Sequence, residues 1–142
     1  MILLEKSKGV LEYDESVPCV IGRFNGFMKS EEFRSFLLKG LDYCKQYKPK
    51  GKPIMWLADT RAHSVQQKED TDWVATDWNP KALEAGVAYV AFIVPENVFG
   101  EMAVKNYMNQ TAKYGKETMH IGMFSTIDQA KKWFKEKTAV NA

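Results

Sequence analysis

The first 24 residues alternate short apolar runs with turn-forming residues. The runs read "ILLE", "VLEY" and "PCVIGRF", and they are separated by Ser7-Lys8-Gly9 and by Asp14-Glu15-Ser16. Short apolar runs bounded by glycine, serine and aspartate are typical of strands joined by tight turns. The pattern therefore predicts a small antiparallel meander at the N-terminus.

The following segment has the period of an α-helix. From Phe33 to Tyr47, apolar side chains recur at every third or fourth position, which places them on one helix face. Ser30, followed by two glutamates, is typical of an N-cap. Pro49 lies just beyond the last apolar position. The spacing predicts one amphipathic helix between these two limits.

Strand and helix patterns alternate through the rest of the chain. "PIMWLAD" predicts a buried strand with its carboxyl end at Asp59, because an uninterrupted apolar run suits a strand covered on both faces. A polar loop then leads to a short helix at 69–78, which Asn79-Pro80 interrupts. The remaining predictions are a strand at "GVAYVAFIVP", a helix at 100–113, a strand at "TMHIGMF" and a closing helix at "STIDQAKKWF", capped either by Ser125 with Asp128 or by Thr126 with Gln129.

This order predicts an α/β fold with a mixed, mostly parallel sheet and about four helices. Alternating β and α units favour parallel strands, and the initial meander favours antiparallel pairing at that edge of the sheet. A chain of 142 residues fits a single domain, so we predict one domain over residues 1–142. An apolar edge left open at the meander predicts a homodimer.

Composition narrows the classes of function. The chain has 20 basic and 18 acidic side chains, a net charge of +2, which is far from the strong positive charge of most nucleic-acid-binding domains. The longest apolar run, Val87 to Val94, is too short for a membrane span, and the N-terminus has no secretory signal pattern. We therefore expect a cytoplasmic protein in which Cys19 and Cys44 are buried free thiols.

Candidate binding residues concentrate in "WLADTRAHSVQQKEDTDWVATDWNP", residues 56–80. Asp59 and Arg61 are placed to form a charge-assisted link at a strand end. Asp70 and Trp73 fall on one face of the predicted helix, and Trp78 falls on the neighbouring face. Two interpretations stay open: these residues are structural, or Asp59 and Arg61 form the polar rim of a pocket walled by the tryptophans Trp56, Trp73 and Trp78.

Catalysis and metal binding find little support in the same stretch. His63, Ser64 and Asp59 are near neighbours in one segment and no nucleophile elbow surrounds the serine. The chain has two histidines and no cysteine or histidine pair with the spacing of metal ligands. We predict no catalytic residues, no metal and no cofactor.

The segments "WLADTR", "EDTDWVATDWNP", "VAYVAFIVPE" and "FSTIDQAKKWF" resemble the SpoIIAA-like STAS group of bacterial proteins, and the resemblance spans residues 10 to 137. It implies a four- to five-stranded mixed sheet with helices mainly on one side. It also implies a phosphorylated serine or threonine at the start of the helix that follows a central strand. Thr60 and Ser64 occupy the matching place, although neither is followed by the glycine of that motif.

The resemblance implies two functions. The first is a non-enzymatic regulatory module that binds a protein partner through residues 59–80. The second is a carrier or sensor of a small apolar or amphipathic, lipid-like ligand in a helix-covered pocket. Exposure of Trp73 favours the first function and burial of Trp73 around a cavity favours the second.

Overall fold

A computed structural model describes residues 1–63, 67–93 and 119–139. The helix predicted at 100–113 lies outside the described residues, as does Ser64.

A six-stranded mixed sheet forms the centre of the protein. The strands lie side by side in chain order: β1 Ile2–Lys6, β2 Gly9–Asp14, β3 Cys19–Gly26, β4 Ile54–His63, β5 Val87–Ile93 and β6 His120–Phe124. The pairs β1–β2 and β2–β3 are antiparallel, and the pairs from β3 to β6 are parallel. The predicted α/β class and the antiparallel start are confirmed. The resemblance implied four or five strands, and the N-terminal meander brings the number to six.

β4 is longer than its apolar run. It was predicted to end at Asp59, but it continues to His63 because its polar end pairs with β3, Ala62 lying opposite Asn25. The pairing register slips by one residue between Asp59 and Ala62, so β4 carries an extra residue there. Such a bulge bends the strand and changes the direction of side chains near its end.

The helices differ from the predictions at their boundaries. α1 covers Ser30–Tyr47, so Ser30 is the first helical residue and Lys29 is the cap. α2 covers Lys68–Trp73, and a π-helical turn, Val74–Trp78, joins it to α3, Asn79–Glu84. The predicted break at Asn79-Pro80 is wrong. Pro80 lies in the first turn of α3, where its missing N–H group does little harm.

The last helix, α4, covers Ile127–Ala139. Of the two predicted capping pairs, the second one forms. The hydroxyl of Thr126 accepts from the backbone N–H of Gln129 at 3.2 Å, and the side chain of Gln129 accepts from the N–H of Ser125 at 3.0 Å. The reciprocal bonds satisfy two donors that the helix start leaves open.

Helices cover both faces of the sheet. Apolar residues of α1, α2 and α3 form one core with Val20 and Trp56, whereas Ala130 and Phe134 of α4 form a second core with Cys19 and neighbouring strand residues. Successive strand residues point to opposite faces, so the two cores lie on opposite sides of the sheet. The resemblance implied helices mainly on one side, and in the described ranges α1, α2 and α3 share one face while α4 covers the other.

Both cysteines are buried free thiols, as predicted. Burial raises the pKa of the Cys19 thiol to about 12, and it also raises the pKa of the Cys44 thiol. Both thiols are therefore protonated at neutral pH and are poor nucleophiles.

Candidate functional site

The candidate residues from the stretch 56–80 do not form one site. Side chains alternate along β4, so Asp59 and Arg61 lie on the face that α4 covers, while Trp56 lies on the opposite face. Trp73 and Trp78 belong to the helical segment packed over the same face as Trp56. The single tryptophan-walled pocket with an Asp59–Arg61 rim is therefore not the arrangement observed.

An ionic ladder crosses β2, β3 and β4 on the first of these faces. The guanidinium of Arg61 donates to both oxygens of Asp59, from Nε at 2.9 Å and from Nη2 at 2.8 Å. Arg23 donates to Asp59 from Nη1 at 3.1 Å and to Glu12 from Nε at 2.8 Å. The predicted Asp59–Arg61 link is present, and Arg23 extends it across the sheet.

The ladder keeps Asp59 ionised. Burial pushes the pKa of this carboxyl upward, but hydrogen bonds from Arg61 and the positive charges of Arg61 and Arg23 outweigh it, so the pKa lies below its usual value. A carboxylate held by two guanidinium groups is a weak proton acceptor. The geometry suits a fixed link between strands rather than acid–base chemistry.

A second polar cluster joins α1 to α2. The carboxylate of Asp70 is fully buried. It accepts a hydrogen bond from the hydroxyl of Ser30 at 2.8 Å and another from Nε of Arg34 at 3.1 Å. Sequence reasoning identified Asp70 but not its partners. The available signal was the four-residue spacing of Ser30 and Arg34, which places both on one side of α1.

Trp73 lies at the surface beside this cluster. Its ring is half-buried against the core, and the guanidinium carbon of Arg34 lies 5.1 Å from the ring centroid. The side chain of Arg34 is 40% exposed. One turn further along α1, Leu38 is also exposed. We call Arg34, Leu38 and Trp73 the α1–α2 seam.

Trp56 and Trp78 belong to the core. They are 2% and 1% exposed, and their ring centroids lie 5.8 Å apart. The indole N–H of Trp78 donates to the backbone carbonyl of Leu37 at 3.0 Å, which ties the π-helical turn to α1. The ring of Trp56 fills the space that Gly22 and Gly40 leave free. These two tryptophans support the seam from below.

Thr60 is buried, and its hydroxyl donates to the backbone carbonyl of Ile93 at 2.8 Å. The hydroxyl therefore links β4 to the end of β5. This geometry distinguishes Thr60 from an accessible modification site.

Within residues 1–63, 67–93 and 119–139, no three His, Cys, Asp or Glu side chains are grouped closely enough to hold a metal ion. None of the helices there has the length and apolar character needed to cross a membrane.

One comparison with a solved structure supports the fold. The structure of SLC26A9 includes a similar region, with a TM-score of 0.54 and 14% sequence identity over 87% of this chain, and it supports a STAS-like fold. The chain spans 21% of that SLC26A9 chain. A chain in the crystal structure of the diguanylate cyclase SiaD in complex with its activator SiaC from Pseudomonas aeruginosa is also similar. The match has a TM-score of 0.48 and 7% identity, over 87% of this chain and 98% of that one. No family model and no curated protein matches the sequence.

Proposed function

We propose that this protein is a non-enzymatic regulatory module with a STAS-like fold that binds a partner protein through the α1–α2 seam. The observation that carries the proposal is the half-buried ring of Trp73 with the exposed guanidinium of Arg34 at 5.1 Å. Tryptophan and arginine are the residues most enriched at the energetic centres of protein interfaces.

The seam is also held in place before any partner arrives. Asp70 fixes Arg34 through a hydrogen bond of 3.1 Å, and Trp78 ties the segment after Trp73 to α1. A surface that is already ordered loses less conformational freedom on binding, which favours affinity. In this proposal Trp73 and Arg34 contact the partner, and Asp70 positions Arg34.

The other sequence-predicted residues have supporting roles in the proposal. Trp56 and Trp78 hold the seam from the core, and Asp59 with Arg61 links the strands on the opposite face. A carrier of a small apolar ligand was the second function expected from the sequence. Because Trp56 and Trp78 pack on each other, nothing in the described part of the chain favours that function over protein binding.

A regulatory phosphorylation is part of the proposal. Thr60 is the weaker of the two candidates, because its buried hydroxyl is engaged with Ile93 and a kinase would reach it only after β4 opens. We therefore assign the proposed modification to Ser64. The intact mass of the protein from its own cells should carry an added phosphate that Ser64→Ala removes and Thr60→Val retains.

The experiment that tests partner binding compares two tryptophans. Trp133 is the matched control for Trp73: it is also half-buried, but it lies on α4 with its ring against Tyr89 and Phe124, on the other side of the sheet. Affinity capture from the protein's own cells, quantified by mass spectrometry, should recover a protein with the wild type and with Trp133→Ala. Trp73→Ala should lose it at least tenfold, the scale of a hot-spot truncation of about 2 kcal/mol.

Circular dichroism must show both variants folded. Equal loss with Trp133→Ala would mean that the capture reports general destabilisation, and full retention with Trp73→Ala would contradict the proposal.

A further inference from the structure

We propose that the end of the molecule at which the parallel strands begin associates with the headgroups of an anionic phospholipid bilayer. Eight lysines at this end carry the proposal, and we call them the basic end. Four belong to the end of α1 and the connection to β4, one to α3 and three to α4: Lys45, Lys48, Lys50, Lys52, Lys81, Lys132, Lys135 and Lys137.

The topology brings these lysines together. α1 and α3 each end where a parallel strand begins, at Ile54 and at Val87. The side chain of Lys48 packs over Gly86, directly before β5. α4 follows β6 and runs back toward the same end, where Lys131 binds Asp14 beside the start of β3. Helices on both faces of the sheet thus place their lysines at the same end of the protein.

The basic end has an excess of positive charge among the described residues. Four carboxylates lie among the eight lysines, those of Glu15, Asp42, Glu84 and Glu136, while Asp14 and Lys131 neutralise each other. The basic end therefore has four more positive than negative charges. Since the described residues together also have a net charge of +2, those outside the basic end have two more negative than positive charges. Among the described residues, positive charge is therefore concentrated at the end where the parallel strands begin.

Helix dipoles explain only part of this pattern. Lysine near a helix C-terminus is favoured by the dipole, which accounts for Lys45, Lys81 and Lys137 in the last turns of α1, α3 and α4. Lys50 and Lys52 lie beyond the end of α1, and Lys132 and Lys135 lie before the last turn of α4. The basic end therefore has more lysines than the helix dipoles account for.

The side-chain chemistry favours a phospholipid surface. All three arginines of the chain lie elsewhere and are held in ion pairs: Arg23, Arg34 and Arg61. None of the eight lysines has an ion pair within residues 1–63, 67–93 and 119–139. Lysine binds phosphate as a point charge without reading base edges, and basic clusters of this size attract anionic headgroups.

Nucleic acid is the less favoured polyanion. Recognition of single strands usually requires aromatic rings on which bases stack. At this end Tyr47 is stacked on Tyr13, with ring centroids 4.5 Å apart, so one face of its ring is already occupied. The loop between Lys48 and Ile54 contains no aromatic residue.

The test measures sedimentation of the protein with lipid vesicles. Vesicles of phosphatidylcholine with about one-third phosphatidylglycerol should bind it at about 50 mM salt and release it at about 500 mM, because screening removes surface attraction. Vesicles of phosphatidylcholine alone should not bind it. The variant with Lys45→Gln, Lys50→Gln and Lys52→Gln should lower the partition coefficient on the order of 100-fold, since each lysine contributes separately.

A matched control removes the same charge elsewhere. Lys6→Gln, Lys8→Gln and Lys39→Gln change three exposed lysines outside the basic end, and binding should fall by no more than about threefold, as expected from net charge alone. Equal loss in both triple variants would overturn the proposal. Absence of binding to anionic vesicles at low salt would also overturn it, including the case in which duplex DNA binds instead.

Discussion

At the scale of single residues, Asp70 has the most constrained environment in the candidate site. Its carboxylate is fully buried and holds Ser30 and Arg34, two residues of α1 that local sequence patterns do not connect to it. A buried carboxylate is tolerable only when its oxygens are paired. The geometry of the seam therefore depends on this one side chain.

Asp70→Asn should lower the free energy of unfolding by about 2 kcal/mol, because the amide keeps the shape but loses the charge-assisted bonds. Urea unfolding measures the change. Arg34→Gln should cost less, because Arg34 is partly exposed. The double variant should be more stable than the sum of the single losses predicts. Strict additivity would contradict the ion pair.

The ion pair of Asp14 with Lys131 predicts how the stability of the fold depends on pH. The hydrogen bond from Lys131, aided by Ser16, lowers the pKa of Asp14 from 3.8 to about 2. Because the pKa is lower in the folded state, the ionised carboxylate stabilises the fold above pH about 4, and that contribution disappears as the pH falls through about 2. In Asp14→Asn, the free energy of unfolding should fall less between these two pH values than it does in the wild type.

Unfolding midpoints in urea at a series of pH values test this prediction. Glu15→Gln is the matched control, because Glu15 is the neighbouring exposed carboxylate with no ion pair in the described part of the chain. Parallel curves for wild type and Asp14→Asn would contradict the role of the Lys131 pair.

At the scale of elements, the contact between α1 and the sheet is set by glycine. A Cβ atom added at Gly40 would lie 2.6 Å from the ring of Trp56, and one added at Gly22 would lie 2.6 Å from the same ring. Trp56 is buried between the two elements and has no room to move aside. The two glycines therefore allow the helix and the strand to enclose a tryptophan.

Gly40→Ala tests whether helix propensity or overpacking has the larger effect on stability. Helix propensity alone predicts a gain of about 1 kcal/mol, whereas overpacking against a buried ring predicts a loss of about 1 to 3 kcal/mol. We expect a loss, measured as a lower thermal unfolding temperature. In a Trp56→Phe background the same substitution should cost less, because the smaller ring leaves space. A more stable Gly40→Ala variant would contradict this packing.

The edge strand β1 is the element through which the predicted homodimer would pair. Met1 and Ile2 are exposed at the edge of the sheet, while Glu5 and Lys6 add charges that oppose edge-to-edge pairing. The dimer stays a prediction. If two copies pair through β1, light scattering should give a dimer mass that Ile2→Lys reduces to a monomer. A wild-type monomer at high concentration would contradict it.

Sequence patterns predicted the elements better than their contacts. All six strands and α1 were predicted, the strands from apolar runs bounded by turn residues and α1 from apolar side chains at helical spacing. The end of β4 was missed because the apolar run stops at Asp59, whereas Ala62 and His63 remain in the sheet through pairing with β3. The continuation through Pro80 was missed because a π-helical turn precedes it. The Asp70–Arg34 pair joins residues far apart in the chain, which local spacing does not reveal.

At the scale of the whole molecule, the candidate residues are distributed over two faces of one sheet. The α1–α2 seam lies on one face, the ionic ladder lies on the other, and the basic end lies where the parallel strands begin. The separation has a simple cause: side chains of β4 alternate, so neighbours in sequence become residues on opposite faces. A protein partner at the seam and a lipid surface at the basic end would therefore contact different parts of the protein.

Native mass spectrometry of the protein purified from its own cells distinguishes a protein-binding module from a carrier of a small ligand. We expect a complex with a second, different protein, which disappears with Trp73→Ala and persists with Trp133→Ala. A mass that instead equals one copy of the chain plus a small apolar molecule, unchanged by Trp73→Ala, would contradict protein binding at the α1–α2 seam. That result would make the protein a carrier with a binding site away from the α1–α2 seam.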